Sequence, residues 1–305
     1  MAYETFIPTV WNASFNRELE RLHVLAKHCN RDFEGDVKEQ GDSVRLLNVG
    51  KPTITSLLSS TGKATLQGNI SAAEEIANSS MTMPIDQIRY YNYKVGDIDK
   101  AQIKNDGKLM AAYQKETSEA LADSIDVYLG QTVFLTAPLF TNTYSNATYS
   151  YIKVTAGASA AAAADAAQNA LELLDDLIEQ AHLHDIPDST KLYCNCTPKF
   201  WKRLKQAYIS VSTNNVKELN GREYITYNNV DIEWSNNVKS YVADTYAAYD
   251  IVTLRTERAI AFVHPLTHAE AYRPELGFAD AIKGFILFDA KIVRPNEIFQ
   301  VKVTY

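Results

Sequence analysis

The chain has 305 residues, with 30 Lys and Arg against 37 Asp and Glu, so its formal charge is −7; 46% hydrophobic and 22% charged residues make an ordinary globular composition. A compact chain of this length makes roughly two domains and buries about three quarters of its unfolded surface, so neither disulfides nor metals are needed to hold it together. The net negative charge argues against affinity based on neutralising phosphates, which takes clustered Lys and Arg. Three cysteines cannot complete an intrachain disulfide framework, and Cys194 and Cys196 are too closely spaced for an unstrained bridge, so folding in a reducing cytoplasm is expected. The start, Met1 to Pro8, lacks the basic and apolar regions of a signal peptide. No window approaches the roughly 20 apolar residues of a membrane span; the alanine run from Ala160 to Ala164 is broken by Asp165. Triplets such as Asn12-Ala13-Ser14 therefore carry no glycosylation meaning.

In chain order, Phe15, Leu19, Leu22, Ala26 and Cys29 recur at helical spacing, which predicts an amphipathic helix ending near Asn30. Strand character follows at Ser43 to Val49, Thr53 to Leu57 and Met83 to Val95. Gly41, Gly50, Gly62 and Gly68, with many small polar residues between Ser56 and Ser80, read as turns of a long β excursion too poor in large apolar residues for its own core. Asp97-Ile98-Asp99 caps a helical stretch, predicted from Lys108 to Leu129, with Gly130 as its stop. Met110, Tyr113, Thr117, Leu121, Ile125 and Tyr128 share one face. A second helix is predicted from Ser159 to about His184, with Leu171, Leu174, Ile178 and Ala181 facing inward, and Pro187 bars its continuation. Beyond Lys191, short strands alternate with polar turns around a short helix at Pro198 to Ala207. Three strands are expected near the end: Ala259 to Val263, Ala269 to Tyr272 and Phe285 to Val293.

Local motifs for chemistry are weak. Ser59-Ser60-Thr61-Gly62-Lys63 lacks the first glycine of a phosphate loop, since Leu57 stands there, and the final hydroxyl, since Ala64 stands there. His182 and His184 are two apart, whereas helical metal ligands sit at i and i+4, and histidines in a last helical turn are favoured by the dipole. Cys194 and Cys196 have no partner pair at zinc-finger spacing, and Cys29 reads as core. There is no nucleophile elbow and no carboxylate pattern of glycosidase type, so no catalytic, cofactor-binding or metal-binding residue is assigned. The 18 tyrosines suit either interfaces or strand packing.

At the C-terminus, Ala271-Tyr272-Arg273-Pro274-Glu275, Phe278 to Gly284, and Ala290-Lys291-Ile292-Val293-Arg294-Pro295 resemble the closing segment of tailed-bacteriophage major capsid proteins with the Hong Kong 97 capsid fold, or Johnson fold. The resemblance extends to Ile7-Pro8-Thr9-Val10-Trp11, to Asn30 to Gly35 before Gly41-Asp42-Ser43-Val44, to Asp97 to Gln102, and to Ala120 to Asp126. In order and spacing these segments span nearly the whole chain.

The resemblance implies an α+β fold with an N-terminal arm (1–40), an extended E-loop reaching over a neighbouring subunit (41–96), a peripheral domain with a long spine helix (97–156, with a C-terminal return at 264–305) and an axial domain (157–263). It implies a coat protein, not an enzyme and without cofactors, that assembles with itself into pentamers and hexamers of an icosahedral head enclosing double-stranded DNA without sequence-specific binding. The expected location is the virion, with assembly in the host cytoplasm and no membrane. The arm motif begins by Phe6, leaving no room for the scaffolding segment of some relatives, so a separate scaffolding protein and a portal are the expected partners. The family's Lys–Asn crosslink finds no clear match; Lys51, Lys63 and Asn296 are its conceivable players. Two rivals stand beside this reading: an encapsulin-like nanocompartment shell, and a cytoplasmic α/β hydrolase or metalloenzyme using His182, His184 or His264.

Overall fold

Strand-forming sequence dominates the second half of the chain, and the computed structural model builds most of the fold from sheets. It describes residues 23–32, 43–49, 54, 78–96, 106–145, 150–159, 166–209, 216–219, 222–238, 240–241, 249–275 and 279–305.

Three sheets organise the described residues. The smallest pairs β1 (Ser43–Val49) with β2 (Asn78–Pro84) antiparallel, from Ser43 opposite Pro84 to Val49 opposite Asn78. The predicted long strand from Met83 to Val95 is in fact two. Pro84, which has no N–H to donate, ends β2, and β3 (Gln87–Gly96) turns to a different sheet. There β3 lies against β13 (Ala279–Ile292), which pairs on its other side with β12 (Ile260–Tyr272). The two strands expected at Ala259 to Val263 and Ala269 to Tyr272 are thus one. The gap between them is a bulge between Val263 and Leu266, which absorbs His264 and the donorless Pro265 without ending the ladder.

The largest sheet is mixed and has nine strands among the described residues, in the order β5-β4-β14-β11-β6-β9-β8-β7, with β10 (Ser240–Tyr241) also on β11. Its members are β4 (Tyr151–Thr155), β5 (Ala167–Asn169), β6 (Leu192–Cys196), β7 (Val216–Leu219), β8 (Arg222–Tyr227), β9 (Val230–Trp234), β11 (Tyr249–Thr256) and β14 (Ile298–Thr304). The last strand, absent from the sequence reading, sits near the centre between β4 and β11.

The long helix α1 runs Asp106–Tyr128, close to the expected span and about 35 Å long. Its second half is deeply packed: Ser118, Leu121, Ala122, Ile125 and Asp126 are buried, while Tyr113 is exposed. Gly130 does not stop the backbone. The chain continues through one π turn (Leu129–Val133) into a 3-10 turn (Phe134–Thr136). A glycine is required because a Cβ there would stand 2.4 Å from the carbonyl oxygen of Asn237. The second predicted helix begins later than Ser159: α2 is Ala170–Leu183, and Ala167–Asn169 before it is strand. Asn169 accepts from the Leu171 N–H and starts the helix as its N-cap. Helix α3 covers Pro198–Ile209, as expected at its start.

Of the first predicted helix, residues 15–22 lie outside the described residues. The rest is not α-helical; Ala26–His28 forms a 3-10 turn. The strand expected at Thr53 to Leu57, apart from Ile54, also lies outside the described residues, as does the Asp97-Ile98-Asp99 cap.

Two main cores result. One joins α2 and α3 to the nine-stranded sheet, through Leu173, Leu177, Phe200 and Leu204 against Ile152, Cys194, Ile232, Leu254 and Val301. The other joins the second half of α1 and residues 24–29 to β12 and β13, through Leu25, Ile125, Phe134, Phe262, Ile286 and Phe288.

Candidate assembly surfaces

Residues 23–30 are pinned by groups distant in sequence. The Asp126 carboxylate, on the buried face of α1, accepts from the N–H groups of Val24 (2.8 Å), Leu25 (3.3 Å) and Ala26 (3.2 Å), satisfying the donors that open the 3-10 turn. From β11, the fully buried Arg255 donates to the carbonyls of Leu25 (2.8 Å) and His28 and to Asn195 Oδ1 (3.1 Å), with its guanidinium 5.4 Å from the Phe134 ring centre. Asn30 then adds to the edge of β12: its N–H donates to the Ile260 carbonyl (2.9 Å), and the Asn30 carbonyl accepts from the Phe262 N–H (2.8 Å). The His28 ring stacks on Tyr193 at 3.9 Å and meets Glu233 at 3.2 Å. These partners supply backbone pairing from outside the segment, which is why the spacing of Ala26 and Cys29 marks burial and not an α-helix.

The β1–β2 hairpin has a small apolar root. Val44, Met83 and Ile85 pack on Val263 and Leu287, and Lys291 Nζ donates to the Thr82 carbonyl. Ile54 is 93% exposed, a large apolar side chain standing in solvent. Beside this root, β3 carries aromatics on both faces: Tyr91 stacks near Tyr93 (6.1 Å), and Tyr93 reaches Tyr113 of α1 (5.7 Å). Tyr90 is 80% exposed. Gly284 on β13 lets Tyr91 lie flat, since a Cβ there would come within 2.5 Å of its ring. Burial pushes the Tyr91 hydroxyl up to about 12, so it stays protonated.

A third surface is charged. Glu172, Asp175 and Glu179 of α2 and Lys199 and Lys202 of α3 are exposed on the side of those helices that faces away from the sheet. Asp176 is partly covered and accepts from Asn142 Nδ2 (2.8 Å) and Gln168 Nε2 (2.6 Å).

The residues weighed for chemistry are dispersed. His182 meets Asp188 at 3.1 Å at the exposed end of α2, whereas His184 stacks on Phe299 at 5.2 Å. His264 is largely enclosed in the β12 bulge, where burial and the nearby His23 and Arg31 hold it down to about 4. All three cysteines are buried free thiols. Burial pushes Cys194 up to about 12 and raises Cys29 and Cys196, the reverse of a nucleophilic thiol. Among the described residues no three metal-ligating side chains come together. Asn296 is exposed in a 3-10 turn, Pro295–Glu297; Lys51 and Lys63 lie outside the described residues. Sequence reasoning missed Arg255 and Asp126, which sit in ordinary strand and helix patterns, and the Lys and Arg run of α3, which was visible in Lys199-Phe200-Trp201-Lys202-Arg203-Leu204-Lys205.

No protein-family model and no curated protein matches the sequence. Solved structures do match nearly end to end. One from Mycobacterium phage Che8 has 18% identity and a TM-score of 0.58, covering 92% of this chain and 90% of that one. The capsid structure of cyanophage P-SCSP1u has 16% identity and a TM-score of 0.60, covering 93% and 87%. The SrpI encapsulin of Synechococcus elongatus PCC 7942 has 7% identity and a TM-score of 0.55, covering 87% and 83%. The chain therefore has the fold of phage capsid structures, mixed in helix and sheet, and an encapsulin shares it.

Proposed function

We propose that the chain is the major capsid subunit of a tailed phage, a non-enzymatic coat protein whose copies form the pentamers and hexamers of an icosahedral head around double-stranded DNA. The observation that carries this reading is the end-to-end match to phage capsid structures, about nine tenths of each chain, despite low identity. The surfaces agree with it: exposed Ile54 and Tyr90 lie on or beside a hairpin with a small root, and a neighbouring copy would cover them.

In this reading residues 1–40 are the arm, 41–96 the E-loop, 97–156 and 264–305 the peripheral domain, and 157–263 the axial domain. The nine-stranded sheet draws on both parts: β4 and β14 fall in the segments read as peripheral, and its other strands fall in the segment read as axial. The subunit resides in the virion after assembly in the host cytoplasm. Identical chains must occupy both fivefold and sixfold surroundings through nearly equivalent contacts, so several closed products lie close in free energy. A separate scaffolding protein and a portal would select among them.

The encapsulin match favours a second reading, a shell around protein cargo. Sedimentation velocity with absorbance at 260 and 280 nm tests both. Particles of many copies carrying nucleic acid support the first reading and particles carrying protein support the second. A chain that stays monomeric, alone and with its genomic neighbours co-expressed, contradicts both.

A further inference from the structure

Strand β2 belongs to the smallest sheet and β3 to the sheet of β12 and β13, and only Ile85 and Asp86 separate Pro84 from Gln87. Any swing of the β1–β2 hairpin on the body of the molecule therefore turns about this junction. The junction sets one carboxyl group against another. The β3–β13 ladder ends with Gln87 opposite Phe288, so the next residue outward is Asp86 on one side and Asp289 on the other. Their side chains are within hydrogen-bonding reach, and two carboxyl groups share a hydrogen bond only when one of them holds a proton. Asp289 is buried, and its Oδ1 accepts from the Tyr128 hydroxyl (2.9 Å) and the Ala290 N–H (2.6 Å). Asp86 is exposed, so a proton can reach the pair from solvent.

The elements around the pair bring no neutralising charge. Among the described residues neither carboxyl makes an ion pair. Arg89 on β3 donates to Ser124 Oγ (3.1 Å) and the Ile88 carbonyl (3.0 Å) and lies over the Phe288 ring. Lys291 on β13 donates to the Thr82 carbonyl (2.8 Å), and the β12 residue opposite Asp289 is Val263. On α1, Tyr128 is a neutral donor, since burial and Asp289 raise its hydroxyl, and the Asp126 carboxylate is turned to residues 24–26. Burial above all, with Asp86 beside it, raises Asp289 from the ordinary 3.8, against the lowering by the Ala290 N–H and the Tyr128 hydroxyl.

We propose that Asp86 and Asp289 are a proton-operated latch at the hinge of the β1–β2 hairpin. With one proton between them they tie the foot of the hairpin to β13. With both ionised, two like charges face each other across the end of a ladder and loosen it. The sign follows: the hairpin root tightens as pH falls and slackens as pH rises, opposite to the global effect of His264. The latch lies within a single chain and does not depend on assembly.

Hydrogen exchange from pH 7.5 to 4, corrected for intrinsic rates, tests it on the full chain, with sedimentation confirming one oligomeric state throughout. Protection of 43–49 and 78–84 is read against that of β11. In wild type this ratio should rise by about threefold or more on acidification. Asp86→Asn, which keeps a donor toward Asp289 and removes the second charge, should hold the acid-level ratio across the range. Tyr128→Phe removes a bond that favours the Asp289 carboxylate, so it should move the midpoint to higher pH, a shift that a merely structural contact would not produce. A hairpin ratio flat with pH in wild type, an Asp86→Asn chain that keeps the full pH response, or a midpoint unmoved in Tyr128→Phe overturns the latch. A ratio that rises only where sedimentation shows association overturns it in favour of cover by a second copy.

Discussion

The guanidinium of Arg255 donates to the carbonyl oxygen of Leu25 at 2.8 Å, a bond between residues 230 positions apart in the middle of the molecule. Arg255 is fully buried, and it also donates to the His28 carbonyl, to Asn195 Oδ1 and, at 3.6 Å, to Cys29 Sγ. Arg255→Ala would leave these acceptors unpaired and open a void, so it should cost about 3–5 kcal/mol. Arg255→Lys should recover only part, because an ammonium cannot span three acceptors in a plane. Urea unfolding of the three proteins gives the ranking wild type, Lys, Ala; equal stabilities would show that residues 23–30 are held by their apolar contacts alone.

Gly130 against Asn237 is a second long-range constraint. Gly130→Ala places a methyl where a backbone carbonyl already stands at 2.4 Å, and neither backbone can yield cheaply, so a loss of about 1–3 kcal/mol is expected. At Gly157 the nearest atom to an added Cβ is 3.7 Å away. Gly157→Ala should be nearly silent, and thermal melting of the pair separates close packing from a general intolerance of alanine.

His264 gives the fold an acid limit. Burial first, then His23 and Arg31, lower its value from 6.5 to about 4. Above pH 6.5 it is neutral in both folded and unfolded chains and has no effect. Between 6.5 and 4 the unfolded chain takes up a proton that the folded one refuses, so stability falls as pH falls, by about 3 kcal/mol in all. In urea titrations from pH 7 to 4.5, His264→Gln should lose less stability than wild type; parallel losses would place the acid sensitivity elsewhere.

The cysteines should be silent until the protein opens. All three thiols are buried, and burial raises their pKa, which suppresses the thiolate. An aromatic disulfide reagent at pH 8 should find none in the native chain and all three in denaturant, and rapid native reaction would contradict the packing of β6 and residues 23–30.

Much of the fold is legible in order and spacing. The α1 stripe through Leu121 and Ile125, the β1 segment and the start of α3 at Pro198 follow from local pattern, because their apolar periodicity, strand propensity and opening proline agree with the packing each finds in the fold. What escapes is whatever a distant partner decides. Leu22, Ala26 and Cys29 repeat like a helix, yet Asp126 and Arg255 take over the backbone pairing of 24–28. Gly130 reads as a helix stop, yet it answers the Asn237 carbonyl. Strand β14 alternates no better than a core run, because both its faces are covered; Ile298, Phe299, Gln300 and Val301 are all buried. The candidate surfaces were less legible still. The Lys and Arg run of α3 shows in the sequence, but its acidic neighbour becomes adjacent only when α2 and α3 pack together.

The central claim is that this chain is a shell subunit, and cryo-electron microscopy of its assembled product tests it most directly. The account predicts closed particles whose reconstruction resolves five-copy and six-copy rings, with the β1–β2 hairpin of each copy lying on its neighbour. A reconstruction or size distribution showing a monomer or a small oligomer with Ile54 and Tyr90 still in solvent, when the chain is produced with its genomic neighbours, would contradict it.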